Sequence, residues 1–261
     1  LSVDESPRMT LLGTATSMGV PMIGCQCPVC TSKNPKDKRL RTSVAVHNGD
    51  STFLIDTGPE LRQQLIRESI EMIEAVVYTH GHADHILGLD DLRIFGFKKK
   101  EPVPVYCEDA VEETIRRTFS YAFDETVKKS LHSRPMLTFR EIGLRPFELC
   151  GLTIQPIRLI HGRLPVLGYR INDVAFCTDV SQIPDESWPL LEGLRVLVLG
   201  AIHFEPHPTH FNIEGALEVV ERLQPQQTFL THVSHRLGYE ETNLQLPDGV
   251  ELSYDQQVIM L

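Results

Sequence analysis

The stretch "THGHADH", residues 79 to 85, sets His80, His82, Asp84 and His85 within six positions. Neutral imidazoles beside a carboxylate are the donor set of divalent zinc, manganese or iron. A strand running into a tight turn would send His80 and His82 to one side and Asp84 and His85 to the other, which suits two adjacent metals. The competing reading is a polar surface loop with chance histidines; three histidines and an aspartate in six positions weigh against it. A second cluster, "GCQCPVC", holds Cys25, Cys27 and Cys30, half of the six cysteines in the chain. Three thiolates so spaced resemble a tetrahedral zinc site that lacks its fourth ligand. A disulfide and an iron–sulfur ligand set are the alternatives.

The elements that must carry these residues are legible from hydrophobic pattern. Strands are expected at "MTLLGT", "SVAVHN" and "STFLID" around a tight turn, "EAVVYTH", "PVPVYC", "LTIQPIRLIH", "LGYRI", "VAFCTD", "RVLVLG" and "QTFLTH". Helices are expected at "PELRQQLIRES" with Pro59 in its first turn, at "EDAVEETIRRTFSYAF" as one piece, and at "IEGALEVVERL" capped by Asn212. Strand after strand ends in a potential ligand: "VVYTH" at His80, "IRLIH" at His161, "AFCTD" at Asp179 and "TFLTH" at His232. A β-core that delivers polar side chains to one rim builds a rigid site, and because these ends span most of the sequence we expect a single domain over residues 1 to 261.

Composition narrows the function. Of 261 residues, 41% are apolar and 23% charged, as in ordinary globular proteins, and 25 basic against 35 acidic residues leave a formal charge of -10. That balance argues against a broad nucleic-acid footprint, and Lys98-Lys99-Lys100 reads as a solvated surface turn. No stretch approaches the roughly 18 apolar residues of a membrane span, and no signal peptide is visible. Cys107, Cys150 and Cys177 are scattered in apolar surroundings and read as reduced core residues, so a soluble cytoplasmic protein is expected.

The HxHxDH motif resembles the signature of the metallo-β-lactamase superfamily. The resemblance implies an α/β fold, the four-layer αβ/βα sandwich, with a dimetal site at one edge. It further implies one metal held by His80, His82, His161 and Asp179, and another held by Asp84, His85, His232 and Asp179. If His232 serves the second metal, His235 in "THVSH" points elsewhere and completes a Cys₃His site with Cys25, Cys27 and Cys30. This combination resembles the PhnP-like phosphodiesterase branch, related to tRNase Z, in which that zinc is structural. Structural zinc binding of about 10–16 kcal/mol in zinc-finger peptides rivals a whole domain's stability, so the metal would decide whether the loop folds. "LLGTATSMGVP", "LIDTG", "HGRLPVLGYRI" and "HPTHFNIEGAL" extend the resemblance over residues 9 to 261. His210, in "PTHF", matches the histidine that the family places over the leaving group; Asp84 and His210 are the candidate catalytic residues. His203, His207, His47 and His132 read as surface or structural. Two features depart from the family: Gly200 stands where relatives often carry an aspartate, and residues 111 to 147 look long. Within the latter, Arg116, Arg117, Phe119, Tyr121 and Phe123 pack as helix core or form a lid.

Charge arithmetic says what such a site suits. Two divalent ions, two aspartates and a bridging hydroxide sum to +1, which attracts a phosphodiester monoanion. The resemblance implies a metal-dependent phosphodiesterase with two catalytic Mn or Zn ions and one structural Zn. Its substrate is a small cyclic phosphate, by best match 5-phosphoribosyl 1,2-cyclic phosphate opened to ribose 1,5-bisphosphate by a dimetal-bound hydroxide. The alternatives are tRNA 3′-end processing, hydrolysis of a carbon ester, thioester or lactam, and non-catalytic metal binding. No membrane and no stable nucleic-acid partner are expected, and a homodimer is left open.

Overall fold

The computed structural model describes residues 6–124 and 134–261. Two seven-stranded sheets dominate it. The first half of the chain supplies β1 (Arg8–Gly13), β2 (Ser43–Asn48), β3 (Ser51–Ile55), β4 (Ala75–Val77), β5 (Val103–Cys107) and β6 (Leu137–Glu141). The second half supplies β7 (Phe147–Leu149), β8 (Leu152–His161), β9 (Leu164–Ile171), β10 (Val174–Cys177), β11 (Val196–Gly200), β12 (Gln227–Thr231), β13 (Val250–Leu252) and β14 (Gln257–Met260). The sheets run β14-β1-β2-β3-β4-β5-β6 and β13-β12-β11-β10-β9-β8-β7, so the last strand crosses back to close the edge of the first sheet. Each sheet is antiparallel on one side and parallel on the other, where helices supply the crossovers.

Three apolar interlayers make this a four-layer α/β sandwich. The middle one joins the sheets: Met9, Val46, Phe53 and Val77 from one meet Leu167, Tyr169, Phe176 and Val198 from the other. Alternate residues of the same strands point outward into two further cores. Leu54, Val76 and Val105 pack with Leu61, Leu65, Val111 and Ile115 from helices on one side. Leu197, Leu199 and Leu230 pack with Ala216 and Val219 of the helix Ile213–Leu223 on the other. Asn212 caps that helix as expected, its side chain accepting from Gly215 N at 3.0 Å.

The structure departs from the sequence reading in several places. The expected single helix after β5 breaks at Phe119 (φ −108°, ψ 40°) into Asp109–Thr118 and Ser120–Phe123, because Phe119 turns into the core. Pro59 lies in the turn before its helix, which begins at Leu61. Lys98 and Lys99 close the helix Arg93–Lys99 rather than forming a turn, and Lys100 ends it in a left-handed conformation. Cys107 and Cys177 are buried, but Cys150 is half-buried at the β7–β8 turn, where it adopts φ 51°. No helix among the described residues is long and apolar enough to cross a membrane.

Candidate metal centre

β4, β8, β10 and β12 all end at the same rim, and the residues that follow them meet there. His80, His82, His161 and Asp179 form one group, and Asp84, His85, Asp179 and His232 another, with the donor atoms of each within 4.8 Å of one another. Asp179 belongs to both, and its two oxygens divide between them. Oδ2 lies 3.8 Å from His80 Nε2 and 3.9 Å from His161 Nε2. Oδ1 lies 3.3 Å from His85 Nε2 and 3.1 Å from His232 Nδ1. Tetrahedral bonds of 2.0–2.1 Å would space their donors at about 3.3 Å, close to these separations.

Unusual backbone aims these side chains. Asp56, Asp179 and His232 follow the ends of β3, β10 and β12, and all three adopt positive φ (62°, 50° and 56°). Non-glycine residues pay about 1–2 kcal/mol for that region, and such strain collects at functional sites. Next to this turn, a Cβ on Gly200 would stand 3.1 Å from Asp179 N, so the glycine lets β11 pass close to the backbone that carries Asp179.

A set of outward bonds fixes the imidazoles. His85 Nδ1 donates to Asp56 Oδ2 at 2.7 Å, and Asp56 also accepts from Thr79 N at 2.8 Å and Thr79 Oγ1 at 2.7 Å. His161 Nδ1 donates to Thr209 O at 2.6 Å and His80 Nδ1 lies 3.0 Å from the Thr79 hydroxyl, whereas at His232 the nitrogen that faces Asp179, Nδ1, is also the one 3.0 Å from the Thr42 hydroxyl. Sequence reading marked Asp56 only as a strand end in "LIDTG" and passed over Thr42, Thr79 and Thr209. Asp56 shares the signal that exposed Asp179, a strand ending in a carboxylate.

The electrostatics call for a cation. Burial works against charge on His85, yet Asp179, Asp56 and Asp84 outweigh it and raise its pKa well above the ordinary value. Burial likewise works against ionising Asp179, but His232, His85 and His80 hold it well below the carboxylate range. Burial, together with His85, pushes His80 far down, so it is neutral. His80 Nε2 and His85 Nε2 are both buried and have no hydrogen-bond partner. Orphaned nitrogens facing a shared, ionised carboxylate fit divalent metal ions at this rim.

The thiolate cluster is a separate place. Cys25 Sγ and Cys27 Sγ each lie 3.4 Å from His235 Nδ1, and Cys30 completes the group. Backbone N–H groups donate to the sulfurs: Met22 N to Cys30 at 3.3 Å, Cys27 N to Cys25 at 3.5 Å, Cys30 N to Cys27 at 3.4 Å. The His235 contact, with the N–H from Cys30, lowers the Cys27 pKa to about 6, while burial pushes Cys30 up to about 11.

His210 sits over the rim, its ring centroid 4.5 Å from that of His161 and 5.0 Å from that of His232. Burial first, then His232, lowers its pKa to about 3, so it is neutral at pH 7. His203 and His207, expected at the surface, are half-buried; the His207 ring lies 5.1 Å from that of His210. His47 is half-buried in the β2–β3 hairpin against Thr52 Oγ1 at 2.9 Å, and His132 lies outside the described residues.

A cleft of about 640 Å³ opens beside His80 and His82, walled by the helix Asp109–Thr118 and by Glu141, Arg158 and Leu164. Of the residues read as core or lid, Phe119 is buried and Phe123 packs 5.8 Å from Phe139, with Arg116 over both rings. Tyr121 is exposed and bonded to Asp90, and Arg117 alone of the five lines the cleft.

A family profile described as "Beta-lactamase superfamily domain" matches residues 51–233. The chain belongs to the metallo-β-lactamase superfamily. Within it the chain groups with the PhnP family. A crystal structure described as a new diphosphatase from the PhnP family superposes with a TM-score of 0.91 at 41% identity, over 98% of this chain and 97% of that one. Zinc-bound PqqB from Methylobacterium extorquens (TM-score 0.80, 17% identity, 97% and 100% covered) and the short form of human tRNase Z (0.68, 19%, 97% and 98%) share the fold. A Porphyromonas gingivalis protein named octanoyltransferase is 37% identical over 252 residues, 95% of this chain but 50% of that relative. The chain thus spans about half the length of that relative.

Proposed function

We propose that this hydrolase opens a small cyclic phosphate, with 5-phosphoribosyl 1,2-cyclic phosphate giving ribose 1,5-bisphosphate as the leading case. The observation that carries the reading is Asp179, whose two oxygens face two separate His/Asp groups. His80, His82, His161 and Asp179 would hold one ion, and Asp84, His85, His232 and Asp179 the other, Mn or Zn. Such a pair supplies Lewis acidity toward phosphoryl oxygens and lowers the pKa of bound water. Cys25, Cys27, Cys30 and His235 would hold a structural zinc.

In the reaction water adds to phosphorus, the P–O2 bond breaks, and O2 takes up a proton. Asp56 holds His85, and Thr209 O holds His161, in the orientation that keeps Nε2 toward the site. With its low pKa, His210 is a neutral N–H donor at pH 7. Its place over His161 and His232 suits a hydrogen bond to a phosphoryl or leaving oxygen rather than standing service as an acid. Asp84, ionised and buried, balances the charge of the second group.

The octanoyltransferase relative motivates a second reading, a thioester hydrolase. The charged groups walling the cleft, Glu108, Asp109, Arg117, Glu141 and Arg158, make a poor lining for an acyl chain. A panel of the ribosyl cyclic phosphate, a 2′,3′-cyclic nucleotide, a precursor tRNA and an octanoyl thioester, each with Mn or Zn, separates these readings. Turnover should be highest on a cyclic phosphate. Efficient trimming of the tRNA, or cleavage of the thioester alone, would replace the proposal.

A further inference from the structure

We propose that the cleft beside His80 and His82 holds the part of the substrate that is not cleaved, and that Arg117 binds a second anionic group there, the terminal phosphate of a phosphorylated sugar. The inference rests on the phosphodiesterase reading and adds to it the site of the distal phosphate. A cleft of about 640 Å³ lies within the range of pockets that enclose small ligands.

One wall is a helical stripe. In Asp109–Thr118, Val111 and Ile115 go to the core, while Ala110, Thr114 and Arg117, four and three residues apart, line the cleft. The stripe is seated against the histidine turn, since a Cβ on Gly81 would stand 3.1 Å from Thr114 Cγ2. Arg117 is therefore carried by an element that touches the site itself.

The cations of this region differ in how they are engaged. Arg158 Nη1 donates to Glu108 Oε2 at 2.9 Å, so that guanidinium is committed. Arg116, the neighbour of Arg117, donates to Glu112 at 2.7 Å and covers the rings of Phe123 and Phe139. Arg117 is exposed and has neither ion pair nor hydrogen bond from its side chain among the described residues. Asp109 and Glu141 line the same cleft with carboxylates that are also unpaired among the described residues.

A ligand that suits all three brings an anion for the guanidinium and hydroxyl donors for the carboxylates. A phosphorylated sugar does both. A fatty acyl chain does neither. A polynucleotide would bring further phosphates toward Asp109 and Glu141, where like charges repel.

Calorimetric titration of the metal-loaded protein with ribose 5-phosphate, and separately with inorganic phosphate, tests the assignment. Arg117→Ala should weaken ribose 5-phosphate by more than about tenfold and leave inorganic phosphate, which reports on the metal rim, within about twofold. Arg117→Lys should recover part of the loss. Equal affinities in the wild type and Arg117→Ala, a parallel loss of both ligands, or no binding of ribose 5-phosphate by the wild type would overturn the proposal. Turnover of the cyclic phosphate by the wild type is read separately, so failure of the phosphodiesterase reading is told apart from failure of the Arg117 assignment.

Discussion

The two ligand clusters of this protein are held by opposite means. The thiolate group is half-exposed, lies on a short loop, and is organised by N–H groups of its own backbone pointing at sulfur. The His/Asp rim is buried apart from the exposed His82, is assembled from strand ends far apart in sequence, and is braced by Asp56 and three threonines. The first group has four ligands, as a closed structural site requires; the second shares a carboxylate and lies beside an open cleft. They are also joined. His232 and His235 lie on one segment, which Ser234 N ties to Ile202 O at 3.0 Å and Val233 N ties to Thr14 O at 3.0 Å. A loop that folds around the thiolates therefore supports the strand end that carries a rim ligand.

The largest effect should come from the shared carboxylate. Asp179→Ala removes the group common to both halves of the rim, and turnover should fall by at least about 10²–10³-fold. A variant with near-normal turnover would show that the two groups act independently.

His210→Ala should come next, with a loss of about 10²-fold and the metals retained. Because His210 is neutral, the loss should be similar for a p-nitrophenyl diester and for an alkyl leaving group. A loss confined to the alkyl substrate would instead assign His210 a proton-donating role.

Asp56→Asn leaves every rim donor in place but changes what orients His85, and should cost about 10–100-fold in metal affinity or activity. Unchanged metal affinity, measured by competition with a chelator, would mean that the strand end alone sets the imidazole.

Smallest on turnover, and confined to the other cluster, is a pH effect. Folding lowers the Cys27 pKa from 9.0 to about 6, so the loop favours the thiolate. That contribution is fully present above about pH 9 and is lost as pH falls through about 6. Zinc uptake by the zinc-free thiolate group, followed with a colorimetric chelator, should therefore weaken further as pH drops below about 6, where Cys27 takes up a proton. Uptake that is flat from pH 8 to 5 would contradict the thiolate state of Cys27 beside His235.

Much of the rim was legible because its ligands either crowd into one motif or stand at the ends of strongly apolar strands. The brace was not. Asp56 touches His85 across 29 positions, and no local spacing records that contact. Edge strands were missed for a related reason. β6 faces solvent on much of its length and β13 has three residues, so neither shows an apolar run. The helix Arg93–Lys99 was hidden by Gly96 in its middle, a poor helix former that permits close packing against Glu101 O, 3.3 Å from where a Cβ would stand. The break at Phe119 depends on the side chain finding the core, which a local pattern does not contain.

Metal stoichiometry in three proteins prepared alike tests the contrast between the clusters most directly. The wild type should carry three metal ions per chain. Cys27→Ser should carry two, with a lower melting temperature, and Asp179→Ala should keep the thiolate zinc while emptying the rim. Loss of the same ions from both variants, or a Cys27→Ser protein with full zinc and an unchanged melting temperature, would contradict the division into a structural and a catalytic site.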